Sequence, residues 1–264
     1  MRLAPACAVL AFTAMGLVST TASAGDDDAI LRPRHRNYES PQNFALEFRF
    51  APYKPQIDDE FKGTGKTPWR DAFGDSSRLL FAVEFDWQAI RIPYLGTLGP
   101  GVSIGYTTMS GPAKKLSDTG QITDTDSGTD TTLSVFPMYA VGVLRADVFM
   151  RELGIPLVPY GKAGVGYVPW RTYTEGGTSY RDSPDGSTTA YGKGQTWGAH
   201  FAAGLAFQMD VLDRRTAKNL DNQIGINHTY LYAEWMFASY KGIGQNNVLL
   251  VGTSTWVAGL SFEM

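Results

Sequence analysis

Cysteine is almost absent from this 264-residue chain: it occurs once, as Cys7. A disulfide framework is therefore excluded. Charged residues make up only 19% and the net charge is −3, so neither a coiled coil nor the basic footprint of a nucleic-acid binder is present. Histidine occurs three times, which leaves little material for metal or acid–base chemistry. Long apolar runs are missing apart from Leu3 to Val18, and that run falls short of the roughly 20 residues a membrane helix needs. The mean hydropathy of −0.17 argues against helices in a bilayer. It does not exclude a membrane β-barrel, which hides its apolar face in alternate residues.

The first 24 residues read as a secretory signal, with Arg2 before the apolar run and Ala22-Ser23-Ala24 as the cleavage site. Gly25 is then the first mature residue, and Cys7, which precedes the end of the apolar core, is not placed to anchor a lipid. Removal of this segment leaves 240 residues without cysteine, 22 basic against 26 acidic. An exported chain without disulfides needs another closure, and a closed sheet supplies one. Residues 25–42 are expected to be an N-terminal segment on the periplasmic side, and 43–264 the barrel.

What is abundant is glycine, 29 residues, and aromatics at 12%, set in alternating patterns. Asn43 to Pro52 alternates Phe44, Leu46, Phe48 and Phe50 with Ala45, Glu47, Arg49 and Ala51. Arg78 to Ile90 sets Leu79, Phe81, Val83, Phe85 and Trp87 against Ala82, Glu84, Asp86 and Gln88. Further alternating segments are Gly101 to Met109, Thr131 to Phe149 (with apolar residues on both faces and an expected bulge) and Val158 to Thr174. Three more run through Trp197–Met209, Tyr230–Phe237 and Thr255–Glu263.

One face of these segments is large and apolar; the other is glycine, alanine and serine with isolated charges. That second face suits a tight, polar barrel interior better than the outside of a soluble sandwich. The expected fold is all-β: an antiparallel up-and-down transmembrane β-barrel of eight strands. Ten strands follow if Tyr173–Gln195 hides a hairpin. Trp87, Trp170, Trp197 and Trp256 are expected as membrane-girdle aromatics. Long loops are expected at Tyr53–Ser77, Ser110–Asp130 and Tyr173–Gln195, with a shorter one at Lys241–Asn247. The opposite side carries Arg91–Pro100, Met150–Leu157 and Asp210–Asn227, the last containing a short helix at Val211–Leu220.

Residue strings along most of the mature chain carry a resemblance. They are Arg49-Phe50-Ala51-Pro52-Tyr53-Lys54-Pro55 running into Ile57-Asp58-Asp59-Glu60-Phe61, then Phe73-Gly74-Asp75. Gly154-Ile155-Pro156-Leu157-Val158-Pro159-Tyr160-Gly161-Lys162 and Gly225-Ile226-Asn227-His228-Thr229-Tyr230 follow. With these the chain resembles the small outer-membrane β-barrel proteins of Gram-negative bacteria, and more narrowly an outer-membrane barrel family of myxobacteria. The resemblance implies fold and location in the outer membrane, and no activity. Such barrels usually end on an aromatic read by the insertion machinery; here the end is Ser261-Phe262-Glu263-Met264, with Phe262 the candidate signal.

Candidate chemistry is sparse. Gly63-Thr64-Gly65-Lys66-Thr67 imitates a phosphate loop, but Glu60 stands where the motif needs its first glycine. Asp124, Asp126 and Asp130 are spaced for a calcium loop, yet no glutamate occurs between Asp130 and Glu152 to complete it. No metal and no cofactor is expected. The inward charges are Glu47, Arg49, Glu84, Asp86, Arg145, Lys162, His200 and Glu234. They are expected to pair, because isolated buried charges are too costly to desolvate. They form either an ion-pair plug or, in the alternative, a narrow path for small solutes. A lipid-modifying enzyme would need a nucleophile or base beside His35, His200 or His228, and no convincing spacing offers one. The expected role is structural or in surface interaction. Expected partners are outer-membrane lipid and lipopolysaccharide, the barrel-insertion machinery, and a surface partner that the sequence does not name.

Overall fold

The computed structural model describes residues 43–116, 122–182, 189–244 and 248–264. The signal segment with its cleavage site at Ala24, the 25–42 segment, Cys7 and His35 lie outside the described residues. Nine main strands are labelled in chain order. They are β1 (Phe44–Tyr53), β2 (Arg78–Trp87), β3 (Gly96–Leu116), β4 (Ile122–Val135) and β5 (Met138–Arg145). β6 (Leu157–Thr174), β7 (Lys193–Gln208), β8 (His228–Ser239) and β9 (Thr253–Glu263) follow.

β4 and β5 are two parts of one stave, both lying between β3 and β6. The result is a ring of eight antiparallel staves, each paired with its neighbour in sequence and closed by β9 against β1. The backbone seals the join: Phe44 N–H donates to Met264 O at 2.9 Å, and Met264 N–H returns to Phe44 O at 2.9 Å.

Alternation sorts the side chains. Val102, Ile104, Leu205, Phe201, Trp235 and Leu231 are among the large apolar residues exposed on the outside. The inner face buries Ala45, Glu47, Arg49, Ala51 and Tyr53 on β1, and Leu80, Ala82, Glu84 and Asp86 on β2. This is the inverse of a soluble sandwich, whose large apolar residues face its core.

Several sequence expectations need correction. The fourth segment is not one bulged strand reaching Phe149. The ladder breaks at Phe136-Pro137, because proline has no N–H to donate, and the stave ends at Arg145. Val148–Leu153 is instead a short helix, α2, closed by Gly154 in the left-handed conformation. Ser110–Asp130 is not a loop through most of its length. β3 and β4 continue as a paired ribbon, from Ser110 opposite Thr132 to Leu116 opposite Ile122, with register shifts at Pro112 and Lys114. The 173–195 connection does contain a hairpin, Tyr180–Asp182 with Thr189–Tyr191, but it forms its own two-stranded sheet off the ring. The count therefore stays at eight.

Both ends of β1 and β9 that carry the chain termini lie at one rim, here the terminal end. Its turns hold α2 and a helix at Arg214–Ile224, labelled α3, where a shorter helix at Val211–Leu220 was expected. Asp213 caps α3, its carboxylate accepting from the N–H groups of Arg215 and Thr216. At the opposite, loop end, residues 54–77 fold into a 3₁₀ turn (Ile57–Phe61) and the first helix of the chain, α1, at Pro68–Phe73.

Candidate functional site: the filled lumen

Eight strands enclose an interior just wide enough for side chains to fill. Its middle is a charge network contributed by five staves. Lys162, on β6, reaches across to Glu47 Oε2 and Glu84 Oε1, both at 2.6 Å. Arg145, at the end of β5, donates to Glu47 Oε1 and Asp86 Oδ2, again at 2.6 Å. Arg49 binds Glu47 at 3.1 Å and Glu84 at 2.9 Å, and its other nitrogen pairs with Glu234 of β8.

Four carboxylates thus interlock with three cations, and all seven side chains are at most 4% exposed. Shared partners matter in such a place. Each cation compensates at least two acids, so no charge is left alone in a poorly solvated interior.

Two tyrosines extend the network: Tyr139 OH donates to Glu84 Oε2 at 2.7 Å, and Tyr160 OH to Glu234 Oε2 at 2.9 Å. Nearer the terminal end, Glu263 accepts from Tyr230 OH at 2.9 Å and from Gln88 Nε2 at 2.7 Å. Of the eight expected lumen charges, seven are brought together. His200 is buried but stands apart from the ion pairs, stacked on Tyr139 at 3.8 Å between centroids, with Nδ1 3.2 Å from Tyr240 OH. Glu263, Tyr139 and Tyr160 were missed; for Glu263 the signal was there, in its unbroken alternation with Leu260 and Phe262 on β9.

Inward glycines are shaped to this filling. A Cβ on Gly166 would sit 2.2 Å from the Tyr240 ring, and one on Gly198 would sit 2.7 Å from it. A Cβ on Gly259 would meet Tyr232 OH at 2.6 Å, and one on Gly101 would meet Asp86 Oδ1 at 2.2 Å. The small residues leave room for large side chains of nearby strands, Gly259 beside Tyr232 and Gly101 beside Asp86 being direct register partners.

Toward the loop end the filling turns apolar. Tyr53, Trp69, Met109, Leu133, Val168 and Val251 are almost fully buried in one cluster. Trp69 and Val251 come from the connections, which fold inward over the ring. Tyr53 OH donates to Val251 O at 2.6 Å, Gln56 N–H to Gly252 O at 2.9 Å, and the Trp69 N–H to Asp58 Oδ1 at 2.7 Å. Beneath this cap, between Arg49 and Tyr240, the free space is about 20 Å³, room for one water at most.

Trp87, Trp197 and Trp256 stand on the outer face, 51%, 42% and 54% exposed. Trp170 does not join them. Its side chain packs inward against the apolar cluster with Nε1 buried, because it shares the parity of Gly166 and Val168 on β6. Trp235, opposite Trp256 in the register, is outward and was not singled out.

Asp126 and Asp130 are exposed on the ribbon, and the side chain of Asp124 lies outside the described residues. Among the described residues, the carboxylates close enough together to hold an ion are Glu47, Glu84 and Asp86, and Arg49, Arg145 and Lys162 already occupy them. The donor set does not fit an added metal. His228 pairs with Asp210 at the terminal end, and Gln208 Nε2 donates to the same carboxylate at 2.9 Å.

No protein-family model matches the chain. No curated protein matches it in sequence. Solved structures of similar form include Ail, the attachment invasion locus protein of Yersinia pestis. It is 12% identical, with a TM-score of 0.39, covering 86% of this chain and all of that one. Neisserial surface protein A is 12% identical with a TM-score of 0.41, covering 84% and 97%. The N-terminal β-barrel domain of Pseudomonas aeruginosa OprF is 10% identical with a TM-score of 0.36, covering 85% and 100%. Likeness at this level decides nothing about what this chain does.

Proposed function

We propose that this chain is a bacterial outer-membrane β-barrel with a side-chain-filled lumen. It displays its connections at the cell surface in a structural or surface-interaction role. The observation that carries this is the inversion of the two faces: interlocked charges inside, and an apolar surface with exposed Trp, Phe, Leu and Val outside. In water that surface would be an aggregation liability; in a bilayer it is the solvated face. Among the described residues no helix is long and apolar enough to cross a membrane. In this reading the crossing elements are the strands that carry the apolar outer face.

On this reading the loop end faces outward. The connection with the helix at Pro68–Phe73, the β3–β4 ribbon and the 173–195 connection reach toward lipopolysaccharide and a surface partner. Phe262, facing out on β9, serves the insertion machinery. Export is by the signal ending near Ala24. This reading assigns the chain no enzymatic role and no cofactor; among the described residues His200 is fully buried, and His228 is hydrogen-bonded to Asp210 and Gln208.

A narrow channel is the second reading. What favours the plugged lumen over it is the apolar cap and the 20 Å³ of free space beneath. Cell fractionation with heat-modifiable gel migration tests membrane placement. A folded band in the outer-membrane fraction is expected; a soluble protein with no migration shift contradicts the reading.

A further inference from the structure

At the terminal end, two neighbouring turns expose an apolar surface that the barrel itself does not explain. In the β2–β3 turn, Ile90 and Tyr94 are 57% and 86% exposed. In the β5–β6 turn, Phe149, Leu153 and Ile155 are exposed as well. These are not loose side chains. Val148 N–H donates to Leu95 O at 3.3 Å, and Ile155 N–H to Phe149 O at 3.1 Å. Arg91 pairs with Asp147 at 2.9 Å, and Arg151 with the same carboxylate at 3.3 Å.

Tyr94 adds a second observation. Its φ is +61°, the one non-glycine residue in the left-handed region among the described residues. A bulky residue there carries a backbone cost that glycine or asparagine would avoid. The tyrosine is therefore held, against its backbone preference, where its ring points away from the protein.

We propose that the turns 88–95 and 146–156 form one foot seated in the headgroup layer of zwitterionic glycerophospholipid. Tyr94 and Leu153 are its main contacts. This rests on the membrane reading above. The exposed residues continue the outer face directly, from Trp87 on β2, Leu144 on β5 and Leu157 on β6. Tyrosine is suited to that layer, with an apolar ring and a polar tip. The charges fit as well: Arg91 and Arg151 stand beside Asp147 and Glu152, a balanced set that complements a headgroup carrying both signs.

Nitroxide depth measurement in phosphatidylcholine–phosphatidylethanolamine vesicles tests this. In the full chain carrying Cys7→Ser, single variants Tyr94→Cys, Leu153→Cys, Val165→Cys and Asn222→Cys are labelled. Only samples with heat-modifiable migration are taken. Val165 lies on the outer face of β6 and Asn222 on exposed α3, so they mark lipid and water.

The labels at 94 and 153 should show an oxygen-to-nickel accessibility ratio roughly threefold or more above that at 222. Ratios equal to that at 222, with 165 in lipid, would overturn the foot and leave the barrel standing. An aqueous label at 165 would remove the membrane reading itself. Concentration-dependent spin broadening at 94 or 153 would assign the surface to a second copy of the chain and overturn the lipid as its occupant.

Discussion

Lys162 shows most clearly what the individual residues do. Its ammonium reaches both Glu47 and Glu84 at 2.6 Å from the far side of the lumen, and removing it leaves two buried acids undercompensated. Lys162→Met should cost about 3–5 kcal/mol, read as a lowered urea midpoint of the heat-modifiable band in vesicles. An unchanged midpoint would mean the network is not closed as described. The seven charges were legible in the sequence because each alternates with outward apolar or small residues along its strand, as Glu47 and Arg49 do with Leu46, Phe48 and Phe50. The two tyrosines were not, and Glu263, though in step with Gly259 and Ser261 on β9, was left out of the set. Tyr139 comes two residues after Pro137, whose break hides the parity of its strand, and Tyr160 lies between two prolines and a glycine.

In the connection after β7, outside the strands, Asp210 gives a pH prediction. Burial pushes its carboxyl up, but hydrogen bonds from His228, Gln208 and the Thr229 N–H outweigh this and hold it below the usual value. A depressed carboxyl contributes stability that is present above its unfolded value, near 4, and lost as pH falls through the folded one. Amide protection in the β7–β8 turn, taken relative to the intrinsic exchange rate at each pH, should therefore fall as the pH drops below about 4. Asp210→Asn should remove that dependence; a turn equally acid-sensitive in the variant would contradict the assignment.

Among the elements, the fourth stave and the glycine-bearing strands behave differently. Pro137 interrupts a ladder that alternation alone reads as continuous, and the pattern in a single strand cannot say where its neighbours stop pairing. The β3–β4 ribbon is hidden for a related reason. Its Gly, Asp, Ser and Thr composition reads as loop, and its strand character comes from pairing across the hairpin rather than from propensity. Girdle assignment at Trp170 failed because position near a strand end says nothing about parity.

The glycines of β6 and β7 are slots for a partner from β8's end. Gly166→Ala places a methyl against the Tyr240 ring, and should destabilise the barrel by about 1–3 kcal/mol, measured by the same unfolding midpoint. Gly166→Ala combined with Tyr240→Phe should not recover it, since the ring edge and not the hydroxyl alone is in the way; Tyr240→Ala should recover part. A Gly166→Ala barrel as stable as the parent would contradict the slot.

As a whole, the molecule is a closed ring whose interior changes character along its axis. Ion pairs fill the middle, and an apolar cap built partly from the connections fills the loop end. The ring and its inside-out faces were readable from alternation. The cap was not, because Trp69 and Val251 lie in segments without periodicity and become core only when the connections fold over the rim. Mean hydropathy averages this polar interior with an apolar exterior, which is why composition alone does not reveal the apolar face.

The filled lumen is the central claim, and planar-bilayer conductance tests it most directly. Folded, heat-modifiable protein inserted into the bilayer should give no steady single-channel steps. Reproducible steps of constant size would contradict it and make the barrel a channel.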